Sequence, residues 1–158
     1  MEYVIASSSE GVVEVCREML GFVPGVNFRV GSIPETGFDC DAAILNSPLA
    51  HERYGDSPQI GHVQVLSNRR DDGAPEVILA AAPISADRAV VEPGEAAIES
   101  HVQALLESCV SAFLARFPDR GEKARILVHL EGAGIDRRDI EAPLRGVLRF
   151  LEGSWPFR

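Results

Sequence analysis

Two glycine-containing stretches hold the residues best suited to grip a ligand, and each follows a run that reads as a buried strand. Gly132-Ala133-Gly134 comes after Arg125–Leu130 and before a helical pattern. Glycines there let a ligand approach the backbone closely. The N-terminus of the following helix offers N–H groups and a partial positive charge, which suit a pyrophosphate. A plain tight turn reads from the same residues equally well. The third glycine of a dinucleotide-binding fingerprint is missing and the motif stands late in the chain, so that fingerprint is not met.

The second stretch runs from Asn46 to Gly61, leaving the end of the apolar run Ala42–Asn46. That is the edge at which open α/β sheets bind ligands. The Asn46 amide suits a sugar hydroxyl, or it caps its own strand-to-loop turn. Gly55-Asp56-Ser57 suits a second phosphate cradle. His51, beside Glu52, is the histidine placed to act as acid or base. His129 reads as a satisfied core residue, His101 as an exposed helix residue and His62 as the start of a strand. No nucleophile elbow G-x-S-x-G, H-E-x-x-H or P-loop occurs, so the common hydrolase, protease and kinase mechanisms lack their parts. Cys16, Cys40 and Cys109 are isolated, with no C-x-x-C spacing. This supports neither zinc nor a disulfide framework and points to a reducing, cytoplasmic compartment. No metal or cofactor is expected.

The elements that must position these residues follow from periodicity. Glu2–Ala6 reads as a strand, followed by a helix opened by a Ser7/Glu10 capping box and carrying Val12, Cys16, Met19 and Leu20. Asn27–Val30 is a second short strand, ending in Gly31-Ser32-Ile33-Pro34. Ala42–Asn46 is apolar throughout, as expected of a strand covered on both faces. Ser47–Gly61 has no clean period and holds Pro48, Gly55, Pro58 and Gly61, so much of it reads as loop. His62–Ser67 and Val77–Ala82 form a hairpin across a charged tip, Arg69–Gly73, read as solvated. The longest helix opens at Pro93-Gly94, carries one stripe from Ile98 to Leu114, and ends before Pro118. The last helix has Asp139 as its expected N-cap, with Ile140, Leu144, Val147, Leu148 and Leu151 on its buried face.

Strands mixed with helices predict one α/β domain over residues 1–158, a three-layer α/β/α sandwich around a mixed sheet. With 158 residues, the chain buries enough surface to fold without staples. Its net charge of -9 argues against broad binding to nucleic acid, though a pocket for one anionic small molecule can work through backbone N–H groups. No basic leader and no apolar run of membrane-spanning length is seen, so no membrane partner is expected.

Taken in order, these motifs resemble those of the macro domain family, the ADP-ribose-binding modules. Phe28–Ile33 is similar to that family's strand ending in a G-D-I-T-like turn. Asp41–Asn46 is similar to its D-A-I-V-N strand, and Gly132–Ile135 to its late G-T-G-I-type phosphate loop. The resemblance spans Asn27 to Leu151. It implies a cleft for ADP-ribose or a derivative, with Ser32 and Ile33 near adenine and Asn46 near the distal ribose. Gly55 to Gly61, including Ser57, would be one diphosphate loop, and Gly132, Ala133, Gly134 and Ile135 the other. Three features depart from the pattern: the family's adenine-binding aspartate is Ser32, its second asparagine is Leu49, and of its triple-glycine loop only Gly55 and Gly61 remain.

Three functions compete. One is hydrolysis of ADP-ribosyl linkages, with Asn46 and Asp56 as the candidate catalytic residues and Glu52 or His51 as helpers. A second is a non-catalytic reader of ADP-ribose or a related nucleotide, favoured by the loss of the second asparagine. The third is a degenerate fold that docks a protein, with Trp155-Pro156-Phe157 as a candidate surface, although that tail also reads as a cap on the domain's own core.

Overall fold

The computed structural model describes residues 1–55, 63–81, 95–121, 123–135 and 140–153. Six strands form one sheet: β1 (Glu2–Ser7), β2 (Val26–Val30), β3 (Ala42–Asn46), β4 (Gln64–Ser67), β5 (Val77–Ala81) and β6 (Arg125–His129). Their order is β2-β1-β6-β3-β5-β4. All neighbours run parallel except the β4–β5 hairpin. β6, late in the chain, lies between β1 and β3.

Side chains alternate across the strands, and both faces are covered. Tyr3, Ile5, Ala42, Ile44, Ile126 and Val128 point to one core. Val4, Ala6, Ala43, Leu45 and Leu127 point to the other. This explains the unbroken apolar runs of the central strands. Helices α1 (Glu10–Leu20), α4 (Glu95–Arg116) and α6 (Glu141–Glu152) pack on the first face. The shorter α2 (Ile33–Gly37) and α3 (Ser47–Tyr54) pack on the second. The protein is thus α/β with a mixed six-stranded sheet. α4 and α6 approach closely at Gly146, where a Cβ would stand 2.7 Å from the Glu99 carbonyl oxygen.

Several local expectations are corrected. Ser9, not Ser7, caps α1 by accepting from Val12 N–H; in a run of three serines, the one next to the first helical residue takes the role. Ser47–Tyr54, expected as mostly loop, is a helix. Its prolyl residue sits in the first turn, where no N–H is needed, and it buries only Ser47 and Ala50, too little to make a stripe. Ser32-Ile33-Pro34 opens a second unexpected helix, α2, through a full capping box with Glu35. α6 has Ile140 at its N-cap position with no side-chain bond; Asp139, the expected cap, lies outside the described residues. His101 is half-buried rather than exposed. The hairpin tip is solvated as expected at Arg69, Arg70, Asp71 and Gly73, and it is tethered at Asp72, which accepts from Tyr54 O–H at 2.9 Å, Asn68 Nδ2 at 2.9 Å and Ala74 N–H at 3.0 Å. Among the described residues no helix is long and apolar enough to cross a membrane.

Candidate functional site

The carboxyl ends of the parallel strands gather the chemistry. β1 hands the chain to α1 on one face of the sheet, whereas β3 hands it to α3 on the other. A point where successive crossovers leave in opposite directions is where open α/β sheets form a crevice. β6 ends between these two exits, and it is followed directly by a one-turn helix, α5 (Leu130–Ala133).

Asn46 closes one side of this region. Its Oδ1 accepts from Leu49 N–H at 3.0 Å and so caps α3. Its Nδ2 donates to the Gly132 carbonyl at 2.9 Å. The side chain thereby meets the capping reading made of it, and it also reaches the late glycine segment. An amide is neither an acid nor a base near neutral pH, so any catalytic part for Asn46 is limited to orienting other groups.

The Gly132–Ile135 segment is not an open turn. It forms α5, closed by Gly134 in the left-handed conformation at φ 73°. Three of its N–H groups are already bonded: Gly132 to His129 Nδ1 at 3.1 Å, Gly134 to the Glu131 carbonyl at 3.2 Å and Ile135 to the Leu130 carbonyl at 3.1 Å. Its glycines are needed for packing. A Cβ on Gly132 would stand 2.9 Å from Ile33 Cδ1, and one on Gly134 would stand 3.2 Å from Asn46 Cβ. Ala133 and Ile135 are buried.

On the other side, Ser32 is exposed and its Oγ accepts from Glu35 N–H in the α2 capping box. Ile33 belongs to the core beneath Gly132. Gly55 ends α3 at φ 90°, where an added Cβ would meet no atom of the described residues within 4 Å, and its carbonyl lies 2.8 Å from His51 Nδ1. Asp56 and Ser57 lie outside the described residues, as do His62 and Trp155-Pro156-Phe157. The structure therefore brings Ile33, Asn46, Gly132 and Gly134 into direct contact.

Three residues not proposed from sequence complete the edge. Glu131 Oε1 accepts from Ser7 Oγ at 2.8 Å, Ser8 N–H at 2.9 Å and Ser8 Oγ at 2.8 Å. Burial alone would raise its pKa, but the serine hydrogen bonds outweigh that and hold it below the ordinary glutamate value. Its Oε2 is buried with no hydrogen-bond partner, 3.8 Å from His129 Nδ1. His129 is a buried core residue, as its place in a strand suggested. Its Nε2 donates to the Gly31 carbonyl at 2.9 Å while Nδ1 accepts from Gly132, which fixes the tautomer with the proton on Nε2. Only Ser7-Ser8, placed at the end of a strand, hinted at this cluster in the sequence.

The thiols offer no nucleophile. Burial pushes Cys16 up to about 11 and both Cys40 and Cys109 up to about 12, so all stay protonated near neutral pH. Among the described residues, no group of three or more histidine, cysteine or carboxylate side chains is placed to hold a metal ion.

No family model matches the chain, and no curated protein or solved structure does either.

Proposed function

We propose that this chain is a macro-like module that binds ADP-ribose or a related ADP-ribosyl derivative at the carboxyl edge of its parallel strands. The observation that carries the reading is the Asn46–Gly132 contact. It joins two segments whose order and residue types resemble the family's ribose-side strand and late phosphate loop. Gly31, Ser32 and Ile33 follow β2, and Ile33 packs against Gly132. In this reading Ser32 and Ile33 flank the adenine and Asn46 keeps one amide hydrogen for a ribose hydroxyl. Glu131 provides at the same edge a carboxylate of the kind Ser32 cannot supply. Phosphate contacts fall to side-chain hydroxyls and to the segment after Gly55, because three of the four Gly132–Ile135 N–H groups are already bonded within the protein.

Binding without turnover is the stronger form of this reading. Leu49, at the position of the family's second asparagine, packs against the core and has no polar atom with which to orient water. Calorimetric titration with ADP-ribose, with AMP and ADP as controls, tests the proposal. Micromolar affinity, about -8 kcal/mol, for ADP-ribose above both controls is the expected result. Absence of heat and of thermal stabilisation at millimolar ligand would overturn it. A binder that also releases ADP-ribose from modified protein would favour the hydrolase form.

A further inference from the structure

β2 lies at one edge of the sheet, with β1 on its inner side and no described strand on its outer side. The parallel register turns Gly25, Asn27, Arg29 and Gly31 toward β1: Tyr3 N–H donates to the Gly25 carbonyl and Gly31 N–H to the Ser7 carbonyl. The N–H and C=O groups of Val26, Phe28 and Val30 therefore point outward. Proteins ordinarily blunt such an edge with proline, lysine or a very short strand. β4, at the opposite edge, is only four residues long. β2 has five residues, with neither proline nor lysine.

The surroundings of β2 are apolar and incompletely covered. The exposed large hydrophobic residues among those described are Phe22, Val30 and Phe38, at 69%, 45% and 71%. Phe22 precedes β2, Val30 ends it, and Phe38 lies 5.3 Å from the Arg29 guanidinium carbon. Val12, Val15 and Met19 of α1, spaced as a helical stripe that leads to Phe22, are only partly buried, as are Val26 and Phe28. Between Met19 and Pro34, Arg29 is the sole charged residue in a chain of net charge -9. Its charge is already met by Asp39.

We infer that β2 is the seam of a homodimer, in which two copies pair antiparallel through a two-fold axis at Phe28. The outward backbone requires an extended strand as occupant, and β2 itself fits that requirement. With Phe28 opposite its own copy, Val26 faces Val30 of the second copy, and every outward N–H and C=O finds a partner. Asn27 then stands opposite Arg29, so no two like charges meet across the seam, as stable cross-strand pairing requires. Elsewhere the acidic surface makes two copies repel, which leaves this charge-poor strip as the favoured contact. Pairing would cover Val30 and Phe22 and continue the sheet across both copies.

The test is sedimentation equilibrium of the full chain over a range of concentrations, for wild type and Val30→Lys. Val30 is exposed, so lysine there leaves the monomer's core intact, which circular dichroism and the melting temperature check. A wild-type dimer and a folded Val30→Lys monomer, with the dimer constant weakened at least tenfold, is the expected result. On a Cys40→Ser background, Val26→Cys together with Val30→Cys should form an intermolecular disulfide under mild oxidation, whereas either alone should not. A wild type that stays monomeric at about 100 µM would overturn the inference, and so would a dimer indifferent to Val30→Lys in which the cysteine pair fails to cross-link.

Discussion

The side-chain amide of Asn46 spans a sequence separation of 86 residues, capping α3 with its oxygen while its nitrogen holds the Gly132 carbonyl. Asn46→Ala removes both bonds. Loss of the cap costs about 1 kcal/mol, and stranding a half-buried carbonyl costs about 1–3 kcal/mol. Asn46→Ser keeps a cap oxygen but cannot reach Gly132, so it should recover only the first part. Urea unfolding of the two variants checks this. Equal stability for alanine and serine would mean that the cap contributes nothing.

Gly134 sits at φ 73°, with the place of a Cβ 3.2 Å from Asn46 Cβ. Gly134→Ala should destabilise by about 1–2 kcal/mol through the left-handed backbone alone, and somewhat more through crowding of Asn46. Combining it with Asn46→Gly, the change that removes the crowding Cβ, should therefore be less than additive. Additivity in a double-mutant cycle would separate the two residues energetically.

Glu131 is a carboxylate whose folded pKa is depressed below 4.5, the serine hydrogen bonds overcoming the effect of burial. The unfolded chain therefore binds its proton at higher pH than the folded one. The stability this contributes is complete above the ordinary value and drains away as pH falls through the folded value. Glu131→Gln should be less stable than wild type at neutral pH and should lose less on acidification. Stability curves measured by denaturant from neutral to acid pH test this; parallel curves for the two proteins would contradict it. Asp39, held down by Arg29, drains stability in the same direction and sets the slope that remains.

Gly146 allows α6 to lie against the backbone of α4, and a Cβ there would also come 2.7 Å from Val102 Cβ. Gly146→Ala should cost about 1–3 kcal/mol by forcing the helices apart. In a domain of this size that lowers the melting temperature by roughly 2–4 °C for each kcal/mol. A thermal scan that shows no change would mean that the interface yields freely.

The parts of this fold written in short-range pattern were legible in the sequence. β3 and the hairpin stand out by composition and turn residues, and α4 by a stripe that runs its whole length. α3 was not, since a helix that buries little besides Ser47 and Ala50 leaves no period to read. The same limit applies to the site. Asn46 and Gly132 could each be singled out by residue type and position, but that one bonds the other depends on β3 and β6 being neighbours. Glu131 carries no such signal, because its partners, Ser7 and Ser8, are more than 120 residues away.

The position of β6 sets the order in which this molecule can assemble. Before residues 125–129 are made, the β1–β2 pair and the β3–β5–β4 group have no strand to join them, and each, if formed, would present a bare inner edge. Insertion of β6 fastens both at once, and the same residues then lead into α5, which pins Asn46. Synthesis from the N-terminus thus makes the strand that joins the two halves of the sheet last. The interval before its arrival is when the nascent chain is most exposed to pairing with the wrong neighbour.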